Sequence, residues 1–228
     1  MNPIKGYSIQ AKGNKKAEIT IYQEIGGYWD GVSAKQFAEE LKALGDIDEI
    51  NLRMNSPGGE VFEGITIYNV LKQHKARVIV DIDGLAASIA SVIVMAGDEI
   101  RMADNALMMI HDAWGFAMGT ADDMRKTANT MDKVNGTIIS TYAKRTSREE
   151  AEIVDMMHAE TWMTAKEAKE NGFIDEITDA MEMAAHFDLD KFKYRNTPKN
   201  DFKIDHRGRL AHMSLSAQKI RIASNPKS

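Results

Sequence analysis

Residues 76–97 read ARVIVDIDGLAASIASVIVMAG, and the fold turns on this run. Its first part, ARVIVDIDG (76–84), is β-branched and apolar enough to be covered on both faces, as strands of parallel sheets are. Its second part, GLAASIASVIVMAG (84–97), is small and apolar all round, which predicts a helix in the middle of the protein. A buried strand passing directly into a buried helix is half of a β-α-β unit.

The alternation continues in both directions. Upstream, AEITIYQEI (17–25) has strand periodicity and GGYWDG (26–31) reads as a loop. A helix follows with Ser33 as its cap, Ala34, Phe37, Ala38, Leu41 and Leu44 at helical spacing, and Gly45 as its stop. DEINLRM (48–54) is a second strand, NSPGG (55–59) a turn, and about 60–74 a helix with Val61, Ile65, Tyr68 and Leu71 on one face. Downstream, DEIRMA (98–103) and ALMMIHD (106–112) read as short strands and WGFAMG (114–119) as a glycine-punctuated segment. One long helix spans 120–145 with Met124, Met131, Val134, Ile138 and Tyr142 as its stripe. SREE (147–150) reads as a capping box for another helix, and TAKEAKENG (164–172) as a short helix capped by Thr164 and Glu167. FIDEI (173–177) closes the pattern, and periodicity fades after about residue 178. The prediction is an α/β fold.

Composition narrows the function. The 228 residues include no Cys, which excludes disulfides, a Cys-ligated zinc or iron–sulfur site and a thiol nucleophile. No apolar run is long enough for a membrane helix, and MNPIKGYSIQAKGNKK (1–16) lacks an apolar signal core, so a cytoplasmic protein is expected. Residues 190–228 carry ten Lys and Arg against three Asp, leaving nineteen basic against thirty-one acidic residues elsewhere. An acidic body argues against nucleic acid as its partner. The basic stretch is expected to be an arm or tail, one that docks on an acidic surface, is trimmed by self-cleavage, or stays solvated. The nucleotide-binding motifs G-x-x-x-x-G-K-[ST] and G-x-G-x-x-G and the zinc motif H-E-x-x-H do not occur, and no metal or cofactor is expected.

Two strand-to-helix turns could hold chemistry. In SPGG (56–59) a proline and two glycines bring bare backbone N–H groups to the end of a sheet, although most Gly-Gly pairs are plain turns. In GLAAS (84–88), Ser88 stands at the start of the buried helix, where free N–H groups stabilise developing negative charge. Ser88 could equally be a simple cap, and Ser91 is the rival hydroxyl one turn on. Alanines take the glycine places of a G-x-S-x-G elbow. A serine nucleophile needs a base, and His74, His111, His158, His186, His206 and His212 are available. His111 ends the apolar strand ALMMIH, but spacing alone leaves the choice open, as it does the acid that would orient the imidazole.

Four stretches taken together are recognisable. NSPGGEVFEGITIYNVLK, DGLAASIASVIVMAGDEI, ALMMIHDAWGFAMGTADDM and ETWMTAKEAKENGFIDEI resemble, in order and spacing, the Clp-protease proteolytic-subunit family of serine peptidases. They are most similar to the phage and prophage head maturation proteases of that family. The resemblance covers about residues 17–178, between an N-terminal segment (1–16) and a basic C-terminal arm or tail (179–228). It implies a crotonase/Clp-protease-like fold of β-β-α units, with the helix at about 120–145 as a protruding handle.

The resemblance also implies roles. Ser88 matches the nucleophile, His111 the general base and Glu160 the triad acid, where Clp subunits typically carry Asp; Asp155 is the nearest alternative. The N–H groups of Gly59 and Ile89 match the oxyanion hole. Gly58 and the segment Trp114, Gly115, Phe116, Ala117, Met118 and Gly119 match the stretches that pair with an extended peptide substrate. The implied partners are copies of the same chain, in a heptameric ring or double ring enclosing the sites, and unfolded peptide or capsid scaffold as substrate. The stretch before the first strand does not resemble the loops with which Clp subunits engage an ATPase, so no ATPase partner is expected. A crotonase-like acyl-thioester enzyme, or a non-catalytic ring or shell protein, are the alternative functions of such a fold.

Overall fold

The computed structural model describes residues 7–26, 31–180 and 187–198. Most of the loop expected at 26–31, most of the basic arm and residues 1–6 lie outside the described residues.

Three successive strand–helix–strand units build the body. Strand β1 (Tyr7–Ala11) pairs antiparallel with β2 (Lys16–Ile21). Then come α1 (Ala34–Ala43), β3 (Glu49–Ser56), α2 (Val61–Gln73), β4 (Arg77–Ala87), α3 (Ile89–Val94) and β5 (Glu99–Ala103). Strands β2, β3, β4 and β5 are parallel neighbours. Each crossover carries a helix because parallel strands cannot be joined by a hairpin. Strand β6 (Leu107–Ile110) and the antiparallel β7 (Thr161–Thr164) continue from β4, while β8 (Glu176–Thr178) joins β5. Between β6 and β7 run the 26-residue α4 (Ala121–Thr146) and α5 (Glu150–His158), and α6 (Ala165–Glu170) follows β7.

Strand β4 changes partner along its length. Ile79–Ile82 pair with β5, and Leu85–Ala87 pair with β6. Its burial follows: alternate residues are covered as far as Asp81, and every residue from Ile82 to Ala87 is buried. The split aims the end of β4, and the turn after it, between two strands instead of over a sheet edge. All six residues of α3 are buried, each large aliphatic one worth about 1.5–3 kcal/mol of removed apolar surface. Gly64 of α2 permits that packing, since a Cβ there would stand 2.2 Å from Ile89 Cγ1. The α/β class and the buried central helix match the sequence reading.

Three local expectations needed correction. Ser33 occupies the first cap position, but its side chain makes no capping bond; the Glu63 carboxylate of α2 accepts the Ala34 N–H instead. SREE is not a capping box. Ser147 ends α4 in a left-handed conformation, and α5 starts beyond it with no side-chain cap. Two strands lie outside the sequence reading, β1 within the N-terminal segment 1–16 and β7, because Tyr-Ser-Ile-Gln-Ala and Thr-Trp-Met-Thr are too short to show a period. The capping box of Thr164 and Glu167 is present as expected.

Candidate functional site

Ser88 follows β4 directly and precedes the first residue of α3. Its backbone takes φ 55° and ψ −130°, a conformation that non-glycine residues adopt only under tertiary constraint. The constraint is visible. The Ser88 N–H donates to the Met109 carbonyl of β6 at 3.0 Å. The Ser88 carbonyl accepts from the Ser91 N–H at 2.9 Å and from Ser91 Oγ at 2.5 Å. Ser91 Oγ lies 2.7 Å from the buried Tyr142 hydroxyl of α4. The rival hydroxyl of the sequence reading thus points into the core and braces the turn.

The Ser88 hydroxyl faces His111. Parallel pairing of Ala87 with Met109 brings the end of β4 level with the end of β6, and Ser88 Oγ lies 2.8 Å from His111 Nε2. Burial pushes the His111 imidazole below its ordinary 6.5, against the opposing charges of Glu160 and Asp112 and together with Arg195. The ring is therefore neutral near pH 7 and able to accept a proton.

The SPGG turn abuts the same spot. Gly58 takes a positive φ of 97°, and a Cβ there would stand 2.7 Å from both the Ala87 carbonyl oxygen and Ser88 Cβ. Gly59 lies at φ 142°, where a Cβ would meet the Ile25 carbonyl oxygen at 2.1 Å. Both positions need glycine, for conformation and for space. The bonds from Ile25 N–H to the Gly58 carbonyl and from Glu60 N–H to the Ile25 carbonyl hold the groups on either side of the Gly59 N–H. Ile89 is the first residue of α3, so its N–H has no intrahelical acceptor.

Glu160 is 3% exposed and sits in a left-handed turn between α5 and β7. Antiparallel pairing of Thr161 with Ile110 sets it beside His111. Asp155, the alternative acid, is exposed on α5. The Glu160 carboxylate accepts from the Arg195 N–H at 2.8 Å, the Asn196 N–H at 2.6 Å and Trp162 Nε1 at 3.3 Å. Burial pushes its pKa up, but these donors and the His111 charge outweigh burial and hold it below the ordinary range. Among the described residues no hydrogen bond joins Glu160 to His111; the carboxylate acts on the ring through charge.

The donors at 195–196 belong to a segment that sequence periodicity did not assign. Residues 187–196 return to the site, with a 3-10 turn at Leu189–Phe192. Phe187, Leu189 and Tyr194 pack on Leu85, Ala87 and Met109, and Tyr194 also meets Trp162. The Tyr194 hydroxyl donates to the Pro57 carbonyl, and its ring meets His111 edge-on at 5.4 Å. The available signal was the aromatic pattern of FDLDKFKY (187–194) in an otherwise polar stretch.

The segment 114–119 is exposed, with Trp114 at 60%, Phe116 at 87% and Met118 at 86%. It is tied down at its start, where the Ala113 N–H donates to Asn135 Oδ1 of α4 at 2.8 Å. No group of three or more His, Asp or Glu side chains among the described residues is placed to hold a metal ion. No helix among them is long and apolar enough to cross a membrane.

A hydroxyl and a neutral imidazole in contact, with free amide hydrogens nearby, are the parts of an acyl-transfer centre. Comparison with known proteins agrees. The Clp protease family model matches residues 4–181. The chain is 32% identical to the ATP-dependent Clp protease proteolytic subunit of Bacteroides thetaiotaomicron over 158 residues, 67% of this chain and 72% of that protein. It is 35% identical to the protein of the same description in Deinococcus radiodurans over 133 residues, 58% of this chain and 65% of that protein. With the family model matching most of its length, the chain belongs to the Clp protease family of serine-type peptidases.

Proposed function

We propose that this chain is a serine endopeptidase whose nucleophile is Ser88 and whose general base is His111. The observation that carries the proposal is the 2.8 Å contact between Ser88 Oγ and His111 Nε2. His111 takes the hydroxyl proton as Oγ attacks a peptide carbonyl. The N–H groups of Gly59 and Ile89 stabilise the oxyanion, each such donor being worth about 2.7–4 kcal/mol. His111 then gives its proton to the leaving amine, and water, deprotonated by the same ring, hydrolyses the acyl-enzyme. Glu160 supplies the negative charge that stabilises the imidazolium. In this reading Gly58 and the exposed segment 114–119 pair with an extended substrate, as the family resemblance implies.

The finer reading is processing of scaffold or capsid precursor in the cytoplasm, within a heptameric ring or double ring of this chain. It rests on the resemblance to phage head maturation proteases. The relatives named above carry "ATP-dependent" in their description, so the need for an ATPase is a direct test. A purified precursor cleaved by the purified chain alone supports the finer reading, and cleavage only with an added ATPase removes it. Chemistry is tested with a fluorophosphonate. Modification of the wild type at Ser88 and none of Ser88→Ala is expected, with peptide turnover reduced about 10⁴-fold or more in the variant. Retained turnover in purified Ser88→Ala would overturn the assignment of Ser88, whereas absence of labelling in every oligomeric state would favour a shell protein or acyl-thioester chemistry.

A further inference from the structure

Residues 187–196 lie across the proposed nucleophile and base, and the reaction described above makes no use of them. Their contacts fall into two groups. One is aromatic and apolar: Tyr194 stands edge-on to His111 at 5.4 Å and to Trp162 at 5.8 Å, with Phe192 stacked on its other side at 5.8 Å. Phe187, Leu189 and Tyr194 pack, as Trp162 does, on Leu85, Ala87 and Met109, a small cluster separate from the main core. The other group is polar and uses the machinery itself. The Tyr194 hydroxyl holds the Pro57 carbonyl in the SPGG turn, and the Arg195 and Asn196 N–H groups take the two Glu160 oxygens. Side chains of the same two residues reach the carbonyls of His158 and Ala159 at 2.8 and 2.7 Å.

This arrangement opposes turnover in two ways. A phenol between the SPGG turn and His111 fills space that a scissile peptide and its flanking side chain need. The Glu160 carboxylate, held by the Arg195 and Asn196 N–H groups, makes no hydrogen bond to the imidazole in this arrangement. The segment is also only part-buried, with Lys191, Lys193, Arg195 and Asn196 exposed, so it can leave without opening the core.

We propose that residues 187–196 are a built-in occupant of the substrate cleft, whose Tyr194 fills an aromatic-accepting subsite beside Ser88, so that a peptide with an aromatic side chain enters by displacing them. The proposal rests on the peptidase reading above for its consequence in turnover, but the occupancy itself can be measured without chemistry. The cost to the substrate is the fraction of molecules in which the strap is away, because apparent affinity scales with the competent population.

Two measurements on the full chain decide it. The first is the rate of fluorophosphonate labelling of Ser88 in wild type, Tyr194→Phe and Tyr194→Ala. A strap closed in nine molecules of ten or more predicts about tenfold faster labelling in Tyr194→Ala, with Tyr194→Phe between the two because it keeps the ring and loses only the hydroxyl, with its contacts to the Pro57 carbonyl and Ser88. Equal or slower labelling in Tyr194→Ala overturns the strap and makes residues 187–196 a structural part of the site, while the peptidase reading stands. The second uses Ser88→Ala and blocked tetrapeptide amides carrying Tyr, Phe or Ala at one position. Hydrogen exchange at the Arg195 and Asn196 amides should speed up with the Tyr and Phe peptides and not with the Ala peptide. Unchanged exchange, or equal acceleration by all three, overturns the aromatic subsite. Absence of labelling in every variant removes the peptidase reading, and the exchange result then still decides the occupancy.

Discussion

A left-handed serine at the end of a strand is held against its preference, at a typical cost of about 1–3 kcal/mol. Ser88 is held by Met109, Ser91 and, through Ser91, Tyr142. The strain keeps its hydroxyl on His111 instead of letting it fold back as a helix cap. Its partner sets the pH behaviour. His111 binds its proton less tightly than a free imidazole, because burial outweighs the Glu160 and Asp112 charges. The acid limb of kcat/KM should therefore have its midpoint below 6.5. Glu160→Gln should move that midpoint further down, since it removes a charge that favours the imidazolium; a pH–rate profile of both proteins checks the direction. The same shift links to stability. The folded state binds fewer protons than the unfolded one, so His111's contribution is complete above 6.5 and declines as pH falls below it. For rate, Glu160→Gln should cost about 10³-fold or more, as loss of a triad acid does. Asp155→Asn, on the exposed face of α5, should stay within about twofold. The reverse order in peptide assays would reassign the acid.

At the level of elements, the turn between β3 and α2 is the least tolerant part of the site. Gly59→Ala forces a Cβ against the Ile25 carbonyl oxygen, 2.1 Å away in the present backbone, at a φ that alanine avoids. A loss of about 2 kcal/mol or more in unfolding free energy is expected, read as a lower urea midpoint at unchanged slope. The elements differed in how much of this the sequence disclosed. Residues 76–97 announce strand and buried helix because continuous apolar burial has no surface face to obscure it. Ser88 and His111 sit at the ends of such segments, so they were legible as candidates, and the family resemblance chose between them and their rivals. Residues 187–194 were not legible. Their apolar residues are spaced at two, three and two, which matches no helix or strand period, because they follow the shape of a cleft. The missing Glu160–His111 bond was likewise out of reach, since its competitors lie 35 and 36 residues further along the chain.

Considered whole, the described residues build one main hydrophobic core that reaches the C-terminal part of α4, where Ile138 and Tyr142 are buried and Tyr142 meets Phe173 edge-on at 5.6 Å. The rest of α4 is different. The helix is about 39 Å long at 1.5 Å per residue. None of its first ten residues is buried, and Met124 is 50% exposed. Each residue that extends an anchored helix into water gains little by propensity alone, so this end frays readily unless another surface covers it. In the proposed ring, where copies of this chain cover that end, its order should vary with dilution: ellipticity at 222 nm should fall as the protein is diluted, by an amount matching about three turns of helix, while near-ultraviolet signals from the core aromatics hold steady. A spectrum independent of concentration would show that the capping box of Thr120 and Asp123 suffices to keep the projecting end wound in a lone protomer.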